Sequence, residues 1–306
     1  MTTIQPQNHT IILSNNEDYI EQWVQIFLSD KKSQNLSNHT LRFYANNLKV
    51  FVQYCENHSL KRISQLTPPF LREFILYLES KGNNIGGQLV YHRSIKAFLN
   101  WYWDEIEPNS YNPILKVKPP KQQIAPIEGV TKEQVFLLLS KCGKDTFNGE
   151  RDRTILALLF DTGLRAQELC DIELNHIDLI RCSIFIPKGK GRKPRTVFFG
   201  RATRKQLRKY LRHIKSDQYL FTSQTGEKLI YNALRQILRR LCLLAGIKEI
   251  SLHDFRRGFA LEAVRNNIDL LTVSRLLGHS DLSLLTRYVN QNKKDLEDKY
   301  KSAIDN

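Results

Sequence analysis

The stretch from Ser251 to Asn290, SLHDFRRGFALEAVRNNIDLLTVSRLLGHSDLSLLTRYVN, gathers two imidazoles, a guanidinium and a phenol. His253 and Arg256 are three residues apart and so share one helical face. His279 follows, and Tyr288 lies nine residues beyond it. Arginine presents a planar fork matched to phosphate oxygens, histidine can carry a proton near neutral pH, and tyrosine can be a nucleophile that leaves a covalent phosphoester. The chemistry suggested is attack on a phosphodiester, and the residue types at this point imply no metal. His-x-x-Arg spacing alone decides little, because His39 and Arg42 repeat it on what reads as a plain helix surface. The weight rests on the order of the whole set.

These residues need a scaffold, and the apolar spacing predicts one. Helices are expected over 253–266 and 270–277, where apolar residues recur with helical period. Upstream, residues 151–161, RDRTILALLFD, read as a buried helix that Gly163 is placed to end, and a new helix starts near Arg165. Thr131 with Gln134 resembles a capping box opening a helix through Leu139. Residues 183–200, SIFIPKGKGRKPRTVFFG, put β-formers on both sides of a basic turn and predict a β-hairpin. Helices at 202–214, 230–245 and a charged last one at 294–304 complete this half.

The first half reads as four amphipathic helices. One spans about 18–28; a second, capped by Ser37, carries Leu41, Tyr44, Leu48 and Phe51 as a stripe; a third is capped by Thr67 with Pro68 in its first turn; a fourth runs from about 88 to 104. Arg42 and Lys49 lie on the second helix, Arg93 and Lys96 on the fourth. Taken singly each is an ordinary solvated cation, but together they suit a helix laid in a major groove with cations neutralising phosphates. Residues 109–126, with four prolines and three lysines, are expected to form a stiff, extended basic linker. The expected plan is a tail over 1–17, a helical DNA-binding domain over 18–108, the linker, and a catalytic domain over 127–306.

Composition agrees with a nucleic-acid partner. A chain of 306 residues, 41% of them hydrophobic, can bury two cores. Its 46 Lys and Arg against 31 Asp and Glu give a formal charge of +15, which draws it to polyanions. A membrane surface fits poorly, since no apolar run approaches transmembrane length and the polar N-terminus has no signal-peptide pattern. The five cysteines, 55, 142, 170, 182 and 242, are odd in number and widely spaced, so neither a disulfide framework nor a zinc knuckle is indicated. They are expected to be reduced and mostly buried. The expected location is the cytoplasm, at the nucleoid.

At this point the residues resemble a known family. Arg165 in DTGLRAQEL, Lys190 in PKGKGRKPR, His253 and Arg256 in LHDFRR, His279 in LLGHSDLS, and Tyr288 look like the active-site set of the tyrosine recombinases, or phage integrases. The pattern at Ser37, Thr40, Tyr44, Leu48 and Phe51 is similar to that family's helical domain, and the likeness runs from about Asp18 to the end. Phe255, Gly258, Leu284, Leu285 and Asn290 depart from the family's common residues; none is a reacting group.

The resemblance implies a fold that is mainly α with a small antiparallel β-sheet: an N-terminal all-α, SAM-like core-binding domain and a C-terminal mixed α/β catalytic domain of the short, two-domain Xer-like type. It implies a site-specific recombinase that cleaves and rejoins DNA through a 3′-phosphotyrosyl intermediate, without metal or other cofactor. Arg165 and Arg256 would stabilise the transition-state charge, helped at Arg165 by the free N–H groups of a helix start. Glu168 would hold Arg165. His253 is the candidate base, His279 a hydrogen-bond donor, and Lys190 the acid for the leaving oxygen, with Lys188, Arg192 and Lys193 competing for that role. The implied assembly is a clamp on double-stranded DNA and a homo-tetramer at a Holliday junction, with the C-terminal helix passed in trans. Two other readings stay open: a DNA-relaxing or resolving enzyme of type IB topoisomerase kind, and a non-catalytic DNA-binding protein of the same fold.

Overall fold

A computed structural model describes residues 18–106, 110–121, 128–187, 194–214 and 216–278. The chain divides into two compact units, Met1–Ile124 and Ala125–Asn306. Among the described residues no helix is long and apolar enough to cross a membrane. The expected tail, hairpin tip and C-terminal helix at 294–304 lie outside the described residues.

The first unit contains α1 (Ile20–Ser33), α2 (Asn38–Asn57), α3 (Pro68–Ser80) and α4 (Ile85–Glu105). Ser37 and Thr67 cap α2 and α3 as expected, each accepting from a backbone N–H three residues on. Phe27, Leu48, Phe51, Phe74, Phe98 and Leu99 are fully buried, and Phe51 meets Phe74 edge to face at 5.2 Å between centroids. One polar pair crosses this core: Asn47 donates to the Ser94 hydroxyl at 2.9 Å, joining α2 to α4.

Part of the expected extended linker is differently shaped. Pro113–Lys116 form a short 3-10 turn capped by Asn112, and Ile114 and Val117 are buried in the helical core. Proline at the first position of such a turn loses no bond, because that N–H would be unpaired anyway. His92 of α4 hydrogen-bonds the Val117 carbonyl at 3.1 Å, and Arg72 donates to the Lys116 carbonyl.

In the second unit α6 (Phe147–Thr162) is buried along most of its length, with Ile155, Leu156, Leu158 and Leu159 at 1% exposure or less. It packs against α5 (Lys132–Lys141), α8 (Arg201–Leu211) and α10 (Leu252–Arg265). Between α6 and α8 come the short α7 (Ala166–Cys170) and an antiparallel sheet in the order β1-β2-β3: β1 (Ile177–Asp178), β2 (Ser183–Ile186) and β3 (Arg195–Phe198). The expected hairpin is β2 and β3, paired Ile184 to Val197 and Ile186 to Arg195; the two-residue β1 adds a third strand. α9 (Tyr231–Ala245) and α11 (Leu270–Leu277) complete the described part. All five cysteines are free, and four are buried.

Gly258 has a steric reason. A Cβ there would lie 2.4 Å from the Val130 carbonyl oxygen, and one at Gly129 would lie 2.3 Å from the Gly258 nitrogen. Two glycines thus let the segment before α5 cross α10 backbone to backbone, which the Val130 N–H to Asp254 carbonyl bond secures.

Burial pushes the His92 imidazole below its usual pKa, and Lys96 and Arg93 add to this against the Val117 hydrogen bond. The unfolded chain therefore binds the proton more readily, and stability drains as pH falls below about 6.5. All three tryptophans, Trp23, Trp101 and Trp103, lie in this unit, so denaturant unfolding followed by tryptophan fluorescence should give a lower midpoint at pH 5.5 than at pH 7.5. His92→Gln should remove part of that difference.

Candidate active site

Helix ends leave their last carbonyls unpaired and partly negative. α6 ends at Gly163 and α11 at Gly278, both left-handed, with φ +60° and +63°. Gly163 is needed for space as well as for φ, because a Cβ would meet Phe259 at 2.5 Å and Leu277 at 2.8 Å. Three arginines close the end of α11. Arg195 Nε donates to the Leu276 carbonyl at 2.9 Å, Arg256 Nη2 to Leu277 at 2.6 Å, and Arg165 Nη2 to Gly278 at 3.2 Å. Arg256 also donates Nη1 to the Gly163 carbonyl at 2.8 Å, so one buried guanidinium joins both helix ends.

Glu168 ties two of these arginines together. Its Oε1 accepts from Nη1 of Arg165 and from Nη1 of Arg195, each at 2.8 Å; its Oε2 accepts from Arg195 Nη2 at 2.6 Å and from the Arg165 backbone N–H at 2.8 Å. Burial pushes the carboxyl pKa upward, but the hydrogen bonds from Arg195 and Arg165 outweigh it and bring the value down to about 2. One sequence expectation is corrected here. At the start of α7 the Arg165 N–H is not left for an outside anion, because the Glu168 carboxylate, three residues on, already accepts from it.

His253 sits in the first turn of α10, which Ser251 and Asp254 cap reciprocally. The ring keeps an exposed edge. Partial desolvation pushes its pKa below the usual value, and Arg257, Arg256 and Arg165 reinforce the shift against Asp254. The positive end of the helix acts in the same sense. The imidazole is thus held neutral, with a lone pair to accept a proton.

The structure therefore brings together Arg165, Glu168 and Arg256 at the two helix ends, with His253 one turn from Arg256. Lys190, His279 and Tyr288, and the candidate DNA contacts Lys188, Arg192 and Lys193, lie outside the described residues. Arg42, Lys49, Arg93 and Lys96 are all exposed on the first unit. Sequence reasoning missed Arg195. Its signal was present: in β3, Arg195 and Val197 alternate with exposed Thr196 and Phe198, so a charge stands at an inward position of a strand. Among the described residues no cluster of His, Cys, Asp and Glu could hold a metal ion.

Residues 128–295 match the phage integrase family, and residues 21–101 match the phage integrase SAM-like domain. A tyrosine recombinase XerC of Staphylococcus aureus (strain USA300) is 31% identical over 281 residues, which cover 89% of this chain and 93% of that protein. The chain belongs to the phage integrase family. It is a tyrosine-type site-specific recombinase, XerC-like in its two-domain plan, and an enzyme that cleaves and rejoins DNA. Solved structures share the fold at low identity. A XerH recombinase bound to a palindromic difH substrate superposes with TM-score 0.71 at 21% identity, over 89% of this chain and 82% of that one. A lambda integrase tetramer bound to a Holliday junction gives 0.75 at 14%, over 90% and 78%. The expected fold class, mainly helical with a three-stranded antiparallel sheet, a SAM-like domain and an integrase catalytic domain, agrees with these matches.

Glu168→Gln would leave the Arg195 side chain, 9% exposed, without its counter-charge. The expected loss is about 3 kcal/mol of stability, read from denaturant unfolding by far-UV circular dichroism. In the wild type the contribution of this carboxylate is present above its ordinary value of 4.5 and drains as pH falls toward 2; the variant should lack that part of the acid sensitivity.

Proposed function

We propose that the recombinase cleaves one DNA strand by attack of Tyr288 on the scissile phosphorus, leaving a 3′-phosphotyrosyl link that conserves the bond energy for rejoining. The observation that carries this reading is the fixing of Arg165 and Arg256 on the adjacent carbonyls of Gly278 and Leu277. Two guanidiniums held beside each other suit the non-bridging oxygens of a pentacoordinate phosphorane, whose charge exceeds that of the ground state. His253, held neutral, takes the phenolic proton, which an unperturbed tyrosine gives up only near pH 10. Lys190 protonates the leaving 5′ oxygen, and His279 donates a hydrogen bond to the phosphate.

The helical segment 18–108 grips the duplex with Arg42, Lys49, Arg93 and Lys96, and the part of the expected 109–126 linker beyond Val117 joins it to the catalytic segment 127–306. Lys188, Arg192 and Lys193 add phosphate contacts from the hairpin tip. Four protomers act on two sites with a Holliday junction between strand exchanges, each lending its C-terminal helix, about 294–304, to a neighbour. The enzyme works in the cytoplasm, on nucleoid DNA. The XerC relative is a bacterial protein, and the lambda integrase tetramer sits on such a junction, which supports this assembly.

The test uses duplexes carrying the sequence that the full-length chain selects from a random pool, nicked at successive positions so that a cleaved end diffuses away. Wild type should accumulate a covalent protein-DNA adduct and Tyr288→Phe none; absence of adduct with wild type would favour a non-catalytic binder. Arg165→Ala or Arg256→Ala should slow adduct formation by roughly a hundredfold or more, about 3 kcal/mol. With two sites present, relaxed circles without recombinant products would point to a topoisomerase-like enzyme.

Two solution profiles should accompany this. Because the imidazole of His253 titrates below its usual range, the adduct rate should hold steady from pH 8 down through about 6.5 and fall only below it. Binding should weaken with salt along a log-log slope of about −0.9 per neutralised phosphate, and replacing Arg42 and Lys49 by Ala should make that slope shallower by up to about 2.

A further inference from the structure

We propose that Arg195 is a positioning residue for strand cleavage: it touches no phosphate, but orients the guanidinium of Arg165 by clamping Glu168 and the end of α11 at once. This inference rests on the function proposed above.

The geometry uses every face of the side chain. Nη1 and Nη2 grip the two oxygens of Glu168 in a parallel fork, and Nε turns to the Leu276 carbonyl. Oε1 of Glu168 accepts one hydrogen bond from Arg195 and one from Arg165. The rotation of that carboxylate, and with it the plane of the Arg165 guanidinium, is therefore fixed from behind by Arg195. The second anchor of Arg165, the Gly278 carbonyl, follows two residues after the one Arg195 holds. The side chain also lies 3.1 Å from where a Cβ on Gly278 would be, so it lines that turn closely. One support of Arg165, the Glu168 carboxylate, is thus held directly by Arg195, and the other, the Gly278 carbonyl, ends a helix that Arg195 and Arg256 hold together.

Stability gives a weaker reason for the residue. The position is an inward one opposite Ile186 in the sheet, where an apolar side chain would fill the core. Burying an ion pair is often no more stabilising than apolar residues of similar volume. What an apolar residue cannot do is hold the carboxylate and the helix end in register. Lysine cannot either, because a single ammonium has no fork. Arg165 is a long side chain with a quarter of its area open to solvent, and a 1 Å misplacement of a catalytic group costs about a hundredfold in rate.

The experiment compares wild type, Arg195→Lys, Arg195→Met and the double variant Glu168→Gln with Arg195→Met, all as full chains. Each is given the selected, nicked duplex of the previous section, with adduct formation followed in single turnover beside equilibrium binding and thermal melting. Arg195→Lys should bind DNA within about twofold of wild type yet form adduct roughly a hundredfold more slowly. In Arg195→Met, the buried Glu168 loses its main hydrogen-bond donor, and the adduct rate should already fall as pH is lowered from 8 to 6.5, where the wild type holds steady.

The double variant separates positioning from folding. Removing both charges should recover melting lost in Arg195→Met without recovering cleavage. Recovery of cleavage along with melting would overturn the proposal, as would adduct formation within threefold of wild type in both single variants. Absence of adduct with wild type would instead overturn the function on which the inference rests.

Discussion

The end of α11 is the point on which the catalytic unit depends. A helix terminus presents carbonyls that must be paired if they are buried, and here three arginines from β3, α10 and the start of α7 pair three successive ones. The helix gains a C-cap of positive charge in accord with its dipole, while the arginines gain fixed directions. Segments 81 and 113 residues apart in sequence are joined to α11 in this way. Packing alone would not orient a guanidinium, since apolar contact is non-directional; the carbonyls are.

Charge balance at this point requires Glu168. Three guanidiniums around a helix end would repel one another, and the helix dipole offsets only part of that. One carboxylate accepting four hydrogen bonds offsets one of the two positive charges that share it and stays ionised near neutral pH. Arg256 is differently supported: it is buried among the carbonyls of Gly163 and Leu277. The two catalytic arginines are thus held by different means, one by an ion-pair network and the other by helix ends. A single substitution in the network should loosen Arg165 and leave Arg256 in place.

Two glycine requirements make the arrangement possible. Gly163 lets α6 stop directly beneath Phe259 and Leu277, and the Gly129 and Gly258 pair lets the chain cross α10 at backbone distance. α10 is therefore fixed along its first half and middle, at Asp254, Gly258 and Phe259. His253 and Arg256, one turn apart on it, move as one body.

The order of reactive residue types, the caps at Ser37, Thr67 and Thr131, the stop at Gly163 and the β2-β3 hairpin were all legible in the amino-acid sequence, because each arises from near neighbours: hydrogen bonds within four residues, or apolar side chains recurring at 3.6 or 2. So was the pairing of Arg165 with Glu168, three residues away. The 3-10 turn at 113–116 was not, since Ile114 and Val117 are held by a core assembled from distant helices. For Arg195 only the alternation along β3 was legible, and not the partners of the charge. Its partners lie 27 residues before it and 81 after, and only the folded chain decides which charge at an inward strand position meets a carboxylate and a helix end. Sequence determined which chemical groups are present and how each element begins and stops. Tertiary structure decided which of them share a neighbour, because those contacts depend on long loop closures that no local pattern encodes.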